Sequence, residues 1–298
     1  MRMRLFVWVF IAVVLVGCGR DKKTEPVAYA IKLERPQPKG TSLHVRVTGN
    51  FEEFIKPISE EAISPRKTLS FTYVVDVVRT VLTDDLTAEG PLVQLAIVKA
   101  TKTTGEETKD LFPPRTVVVE KKIADRTDFF VGDTLVDINT ASILRIAGLA
   151  EGVDPGKDDL IYGAKELKRL GDSWPINAEE AATHSSKLKI VCQPENISGS
   201  MRLKEVVESG SEQLLALEEE TVLRDCVMPL TLPEGFSVLS SHANQKALIL
   251  YPVDLLKPAR HRTGSIEITW IVQKEDLQKK VSIKVIRQGA VEKEIMPE

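Results

Sequence analysis

Leu69-Ser70-Phe71-Thr72-Tyr73-Val74-Val75-Asp76-Val77 is the stretch that decides the fold class. Leu69, Phe71, Tyr73, Val75 and Val77 recur every second residue, with Ser70, Thr72 and Asp76 between them. Period-two alternation in a β-branched and aromatic run is the pattern of a strand with one buried face. The same pattern recurs upstream in Leu43, Val45 and Val47, and downstream in Val93, Leu95 and Ile97 and in Val117 and Val119. Asp84-Asp85, Glu89-Gly90-Pro91 and Thr103-Thr104-Gly105 supply the turns between these runs. Residues 27–135 therefore read as an antiparallel meander with one apolar face.

The centre of the chain, 136–180, changes period. Asn139 or Thr140 is placed to cap a helix in which Ile143, Leu144, Ile146, Ala147 and Leu149 share a face, with Gly152 just past its end. Asp158 or Asp159 can cap a second helix carrying Ile161, Ala164, Leu167 and Leu170 and closed by Gly171. Over 181–298 strands return. Leu188, Ile190 and Cys192 alternate, then Met201 and Leu203, Leu215 and Leu217, and finally Ile266, Ile268, Trp270 and Val272 ahead of Val281, Ile283 and Val285. The expected fold is mainly β, a β-rich α+β arrangement. Its antiparallel sheets form two strand-rich portions flanking a short helical centre.

The N-terminus carries a different signal. Arg2 and Arg4 precede an unbroken apolar run from Leu5 to Val16, which ends in Leu15-Val16-Gly17-Cys18. A basic start, an apolar middle and a small residue before the cut are the layout of a secretory signal. As a helix, Leu5 to Gly17 spans roughly 20 Å, short of the ~30 Å hydrocarbon core of a bilayer. The ending resembles the lipobox of bacterial lipoproteins. That resemblance implies removal of residues 1–17, a diacylglyceryl thioether on Cys18 and acylation of the new N-terminus. Residues 18–26 would then be the lipidated cysteine and a polar tether. Two or three acyl chains would give stable anchoring, where a single chain is reversible. The implied location is the bacterial cell envelope, with the mature body outside the cytoplasm. Gly19, where some bacteria use aspartate for inner-membrane retention, favours the outer membrane if the source is a diderm.

Composition narrows the partners. Without residues 1–17 the basic residues fall from 40 to 38 against 43 acidic ones, a net charge of −5. A mildly acidic chain without a basic block points away from nucleic acid. Aromatic residues make up 5% of the chain, few for a sugar-binding surface of stacked rings. Beyond Cys18 the cysteines are Cys192 and Cys226, an even pair that in an exported chain is a disulfide candidate, with a buried free thiol at Cys192 as the alternative.

Each candidate site has a plain structural reading beside it. Gly171-Asp172-Ser173-Trp174 resembles the Gly-Asp-Ser-Leu block of a lipase and esterase family, in which the serine is the nucleophile. Here it lies mid-chain, and neither His242 nor His261 has an Asp three residues before it, so a turn with Trp174 packed on the core is the expectation. His44, His184, His242 and His261 show no metal-site spacing, and no metal or cofactor is expected beyond the acyl chains on Cys18. Glu218-Glu219-Glu220 reads as a solvated strand end rather than a calcium site.

Asp133-Thr134-Leu135, Ile146, Gly148-Leu149 and Leu170-Gly171-Asp172-Ser173-Trp174 together resemble an uncharacterised family of bacterial lipoproteins. Its members have a strand-rich first half, a central apolar helix, a Gly-Asp-x-Trp segment and a strand-rich second half. The resemblance implies architecture and no chemistry. The functional expectation is a non-enzymatic, membrane-anchored envelope protein with a binding or structural β-rich body, its partner an envelope protein or an apolar ligand. The alternative is a carrier of lipid or another apolar ligand between a curved sheet and its helices, and a third reading is an envelope hydrolase.

Overall fold

The alternation at 69–77 continues in both directions along a sixteen-residue strand, Arg66–Val81. Phe71, Tyr73, Val75, Val77 and Val81 are all buried, whereas Leu69 is 40% exposed. The structure, a computed structural model, describes residues 27–297 apart from 36, 59–63, 86, 87, 125, 150–156, 188, 231, 233, 277 and 278. The signal-like segment, Cys18 and the tether lie outside the described residues.

In chain order the strands of the first half are β1 (Ala28–Tyr29), β2 (Ser42–Pro57), β3 (Arg66–Val81), β4 (Gly90–Thr104), β5 (Glu107–Phe112), β6 (Val117–Ile123), β7 (Arg126–Val131) and β8 (Thr134–Leu135). Helices α1 (Ile138–Ile146) and α2 (Lys157–Tyr162) follow, then β9 (Lys168–Arg169), β10 (Ser173–Pro175) and α3 (Ala178–Lys187). The second half contributes β11 (Ile197–Ser209), β12 (Glu212–Arg224), β13 (Phe236–Pro252), β14 (His261–Asp276) and β15 (Lys279–Pro297).

The two strand-rich portions are one sheet. Thirteen strands lie side by side in the order β10-β11-β12-β13-β14-β15-β2-β3-β4-β6-β7-β8, with β5 against β4. Every pairing is antiparallel, and the last strand meets the first long one along fifteen residue pairs, from Ile283 opposite Pro57 to Pro297 opposite Leu43. An antiparallel sheet this wide twists and curls rather than lying flat. Register shifts at Glu53/Phe54, Asp76/Val77, Leu203/Glu205 and Val238/Ser240 are bulges that bend individual strands further. Both ends of the sheet are short strands, β10 and β8, which leaves little edge for another chain to pair with.

One face of the sheet is covered by α1, α2, α3 and the segment around Ile31 and Leu33, forming three apolar clusters. Helix α1 packs Ala141, Ile143 and Leu144 on β2, β3, β4 and β6. Ile161 of α2, Ala181 of α3 and both body cysteines pack beside Trp270 and Val272. Ile31, Leu33 and Trp174 cover Met201, Leu203, Leu215 and Leu217.

Local chemistry explains where the helices begin and end, and four expectations are corrected. The cap of α1 is Asp137, whose carboxylate accepts from the amides of Asn139 and Thr140, so the two proposed capping residues are its donors. The helix stops at Gly148 and not at Gly152. Gly148 takes a positive φ of 63°, its amide bonds Arg145 O, and Leu149 N bonds Leu144 O, a Schellman closure with Leu144 and Leu149 both buried. Helix α2 ends at Tyr162 rather than running to Gly171, and Leu167 and Leu170 are 61% and 60% exposed. Beyond Gly163 the chain turns outward to pair β9 with β1. The fourth correction concerns the strand expected at 188–192, of which 188 lies outside the described residues. Residues 178–187 are α3, and Val191 makes only an isolated bridge to Val227.

Candidate functional site

The four strands at the middle of the sheet carry little bulk on the covered face. Ala247 of β13 lies opposite Gly264 of β14, Gly264 opposite Val291 of β15, and Val291 opposite Gly49 of β2. One row along, Ile266 faces Gly289, which faces Phe51. On the far side α1 ends with the Schellman turn, so the helix layer thins where the sheet is thinnest. Between them lies a cavity of about 700 Å³, within the ~300–1,000 Å³ usual for small-molecule sites.

Its walls are mostly apolar. Phe51, Ile146, Met228, Ile266, Ile268 and Trp270 line it, and Ile146 and Ile266 remain 50% and 39% exposed, apolar surface left uncovered inside the fold. Trp270 donates its indole N–H to Met228 O at 3.3 Å, which ties the 228–229 loop to the sheet.

Set into this apolar wall are five cations: Arg145, Lys246, Arg262, Arg287 and Lys293. Four have carboxylate partners: Arg145 with Asp128 at 3.1 Å, Lys246 with Glu220 at 3.0 Å, Arg287 with Glu53 at 2.7 Å, and Arg262 with buried Glu219 at 3.6 Å. The guanidinium of Arg287 also stands over the Trp270 ring, 5.2 Å from its centroid. Lys293 differs. Its ammonium donates to Gly148 O at 2.6 Å, at the negative end of α1, and among the described residues no carboxylate pairs with it. It sits directly across the ladder from Arg262. Like charges in that position repel. The Lys293 side chain is half-buried, surrounded by protein yet reachable through the cavity. Desolvation, then the charges of Arg79 and Arg262, push its pKa down to about 7.

The acidic run at 218–220 is not a solvated strand end. It lies in the middle of β12, where alternation sends Glu218 and Glu220 outward to Lys204 (2.9 Å) and Lys246 (3.0 Å) and Glu219 inward. Glu219 is 5% exposed, accepts from Gln245 Nε2 at 2.7 Å, and burial raises its pKa. Glu120 and Arg79 are also buried and interact electrostatically. Burial raises Glu120 to about 7 and lowers Arg79 to about 10, while Gln37 accepts from Arg79 at 2.7 Å.

The other sequence candidates are dispersed. Ser173 is exposed on edge strand β10, opposite Arg202, while Trp174 beside it is buried and donates to Tyr162 O at 2.8 Å. Among the described residues no hydrogen bond joins Ser173 to His242 or His261. His44 pairs with Asp76 at 2.5 Å. The tertiary fold brings His261 together with Glu292 and Glu294, their ligand atoms within 4.8 Å of one another, on adjacent strands β14 and β15. Sequence spacing could not show this, because the pairing joins residues about thirty apart. Cys192 and Cys226 are joined in a disulfide, Cα to Cα 4.5 Å, inside the cluster around Trp270. No described helix is long and apolar enough to cross a membrane. Searches of protein-family models and of curated proteins return no match for this chain.

Proposed function

We propose that the chain is a non-enzymatic cell-envelope lipoprotein, held to the membrane through acyl chains on Cys18, whose body binds an apolar ligand in the cavity between the central strands and α1. The observation that carries the reading is this cavity: it keeps large aliphatic side chains such as Ile146 and Ile266 uncovered inside the fold. A folded chain normally collapses on such surface, since each Å² of apolar area removed from water is worth ~25 cal/mol. A pocket left open against that gain is the usual form of a ligand site. Lipobox anchoring complements it, because a tethered body beside a membrane meets apolar molecules that water does not carry.

The test uses the mature chain with Cys18→Ser, purified without detergent. Solvent extraction followed by mass spectrometry is expected to recover an apolar ligand, and an uncharged fluorescent apolar probe is expected to bind one site per chain. Ile266→Trp, which fills the cavity, should abolish probe binding with the fold retained by circular dichroism. No extracted ligand together with no probe binding would overturn the reading.

A further inference from the structure

Resting on the cavity reading, we infer that the ligand is a single-chain anionic amphiphile, its tail against Phe51, Ile266 and Ile268 and its carboxylate or phosphate head between Arg262 and Lys293. Charge and register carry the inference. Arg262 and Lys293 face each other across β14 and β15 on the cavity wall, an arrangement that costs stability in the empty protein. Arg145, Lys246 and Arg287 add three more cations to the lining, each already paired with a carboxylate. No Asp or Glu lines the cavity among the described residues. Among the described residues Lys293 holds only a carbonyl and no carboxylate, so an anion would supply the opposite charge and relieve the repulsion with Arg262. Arg262 reaches Glu219 at 3.6 Å, a long contact that leaves guanidinium N–H groups able to donate. An apolar pocket ending at two facing cations with one carboxylate, Glu219, for their two charges fits a molecule apolar along its length and negative at one end. A neutral glyceride offers no such charge, and a cationic amphiphile would add to the repulsion.

The experiment measures fluorescence binding of cis-parinaric acid and of its methyl ester to the mature Cys18→Ser chain and to Lys293→Met in that background. The acid is expected to bind the parent on the order of tenfold more tightly than the ester, the gain of one charge-assisted contact. Lys293→Met should lose that advantage while binding the ester as the parent does, which also reports that its cavity is folded. Competition against bound parinarate by palmitate and by lysophosphatidic acid separates the two head groups; stronger displacement by either one supports the inference and names the source. Equal binding of acid and ester by the parent, unchanged in Lys293→Met, would overturn the anionic head while leaving the apolar cavity standing. Failure of both probes would overturn the cavity reading itself.

Discussion

Lys293→Met should change how stability depends on pH, by an amount that follows from the position of Lys293. Its ammonium has a pKa of about 7 in the folded protein against 10.5 for an ordinary lysine. Between those values the unfolded chain binds more protons than the folded one, so stability rises with pH across the window and is lost as pH falls toward 7. A fully developed difference contributes ~1.36 kcal/mol per pH unit. Near pH 7 the folded lysine is itself half-titrated, so the gain from pH 7 to 9 comes to about 2 kcal/mol. Hydration of the half-buried ammonium through the cavity makes that an upper figure. Glu120, also near 7 but raised from 4.5, acts in the opposite sense at lower pH: stability falls as pH climbs from about 4.5 to 7. The comparison is therefore made above 7, by urea denaturation of both proteins at pH 7, 8 and 9. Lys293→Met is expected to be the more stable at pH 7, and its lead should shrink by about 2 kcal/mol at pH 9, roughly 4 °C in Tm for a chain of this size. Parallel pH profiles for the two proteins would refute the placement of this ammonium in a desolvated, cation-facing site.

Three further outcomes are expected. Gly49→Ala should destabilise by about 1–3 kcal/mol in urea denaturation, because a Cβ there would overlap the Tyr73 ring lying across it on the next strand; an unchanged midpoint would show that the ring moves freely. Replacing both Cys192 and Cys226 by Ala should cost about 4 kcal/mol, the loop-closure value for a separation of 34 residues, and titration of the denatured, unreduced parent should find no free body thiol; two reactive thiols would reject the pairing. Cys18→Ser should abolish palmitate labelling and membrane retention in cells, and retention without labelling would reject lipid anchoring.

The hydrophobic alternation of individual strands was legible because it is local. Whether Val75 points inward depends on its neighbours two residues away, and runs at 43–47, 69–77, 93–97 and 266–272 all became strands, with the expected apolar face buried except at Leu69 and Ile266, which stay exposed, and at the part-buried Ile268. Helix α3 was not legible: AEEAATHSSK presents one buried alanine and no apolar stripe, and it is helical because it closes over the cysteine cluster. The exposed pair Leu167 and Leu170 misled for the same reason in reverse. Their helical spacing is real, but pairing of β9 with β1 claims that backbone for another path.

By itself, then, the sequence determined the mainly antiparallel β class, a helical centre and the inward face of most apolar strands, since these follow from period and propensity over a few residues. Strand β6 is the correction, because Val118 and Glu120 are buried there while Val117, expected inward with Val119, is 42% exposed. Tertiary structure alone decided that the two strand-rich portions make one sheet, because the β15–β2 seam joins residues more than 200 positions apart and no local pattern encodes a partner. It likewise decided the cavity. No local pattern singles out Arg262 or Lys293, and only the register of β14 against β15 sets them side by side on the inner face. Periodicity tells which side chains share a face; which face is covered, and by what, depends on contacts made across the whole chain.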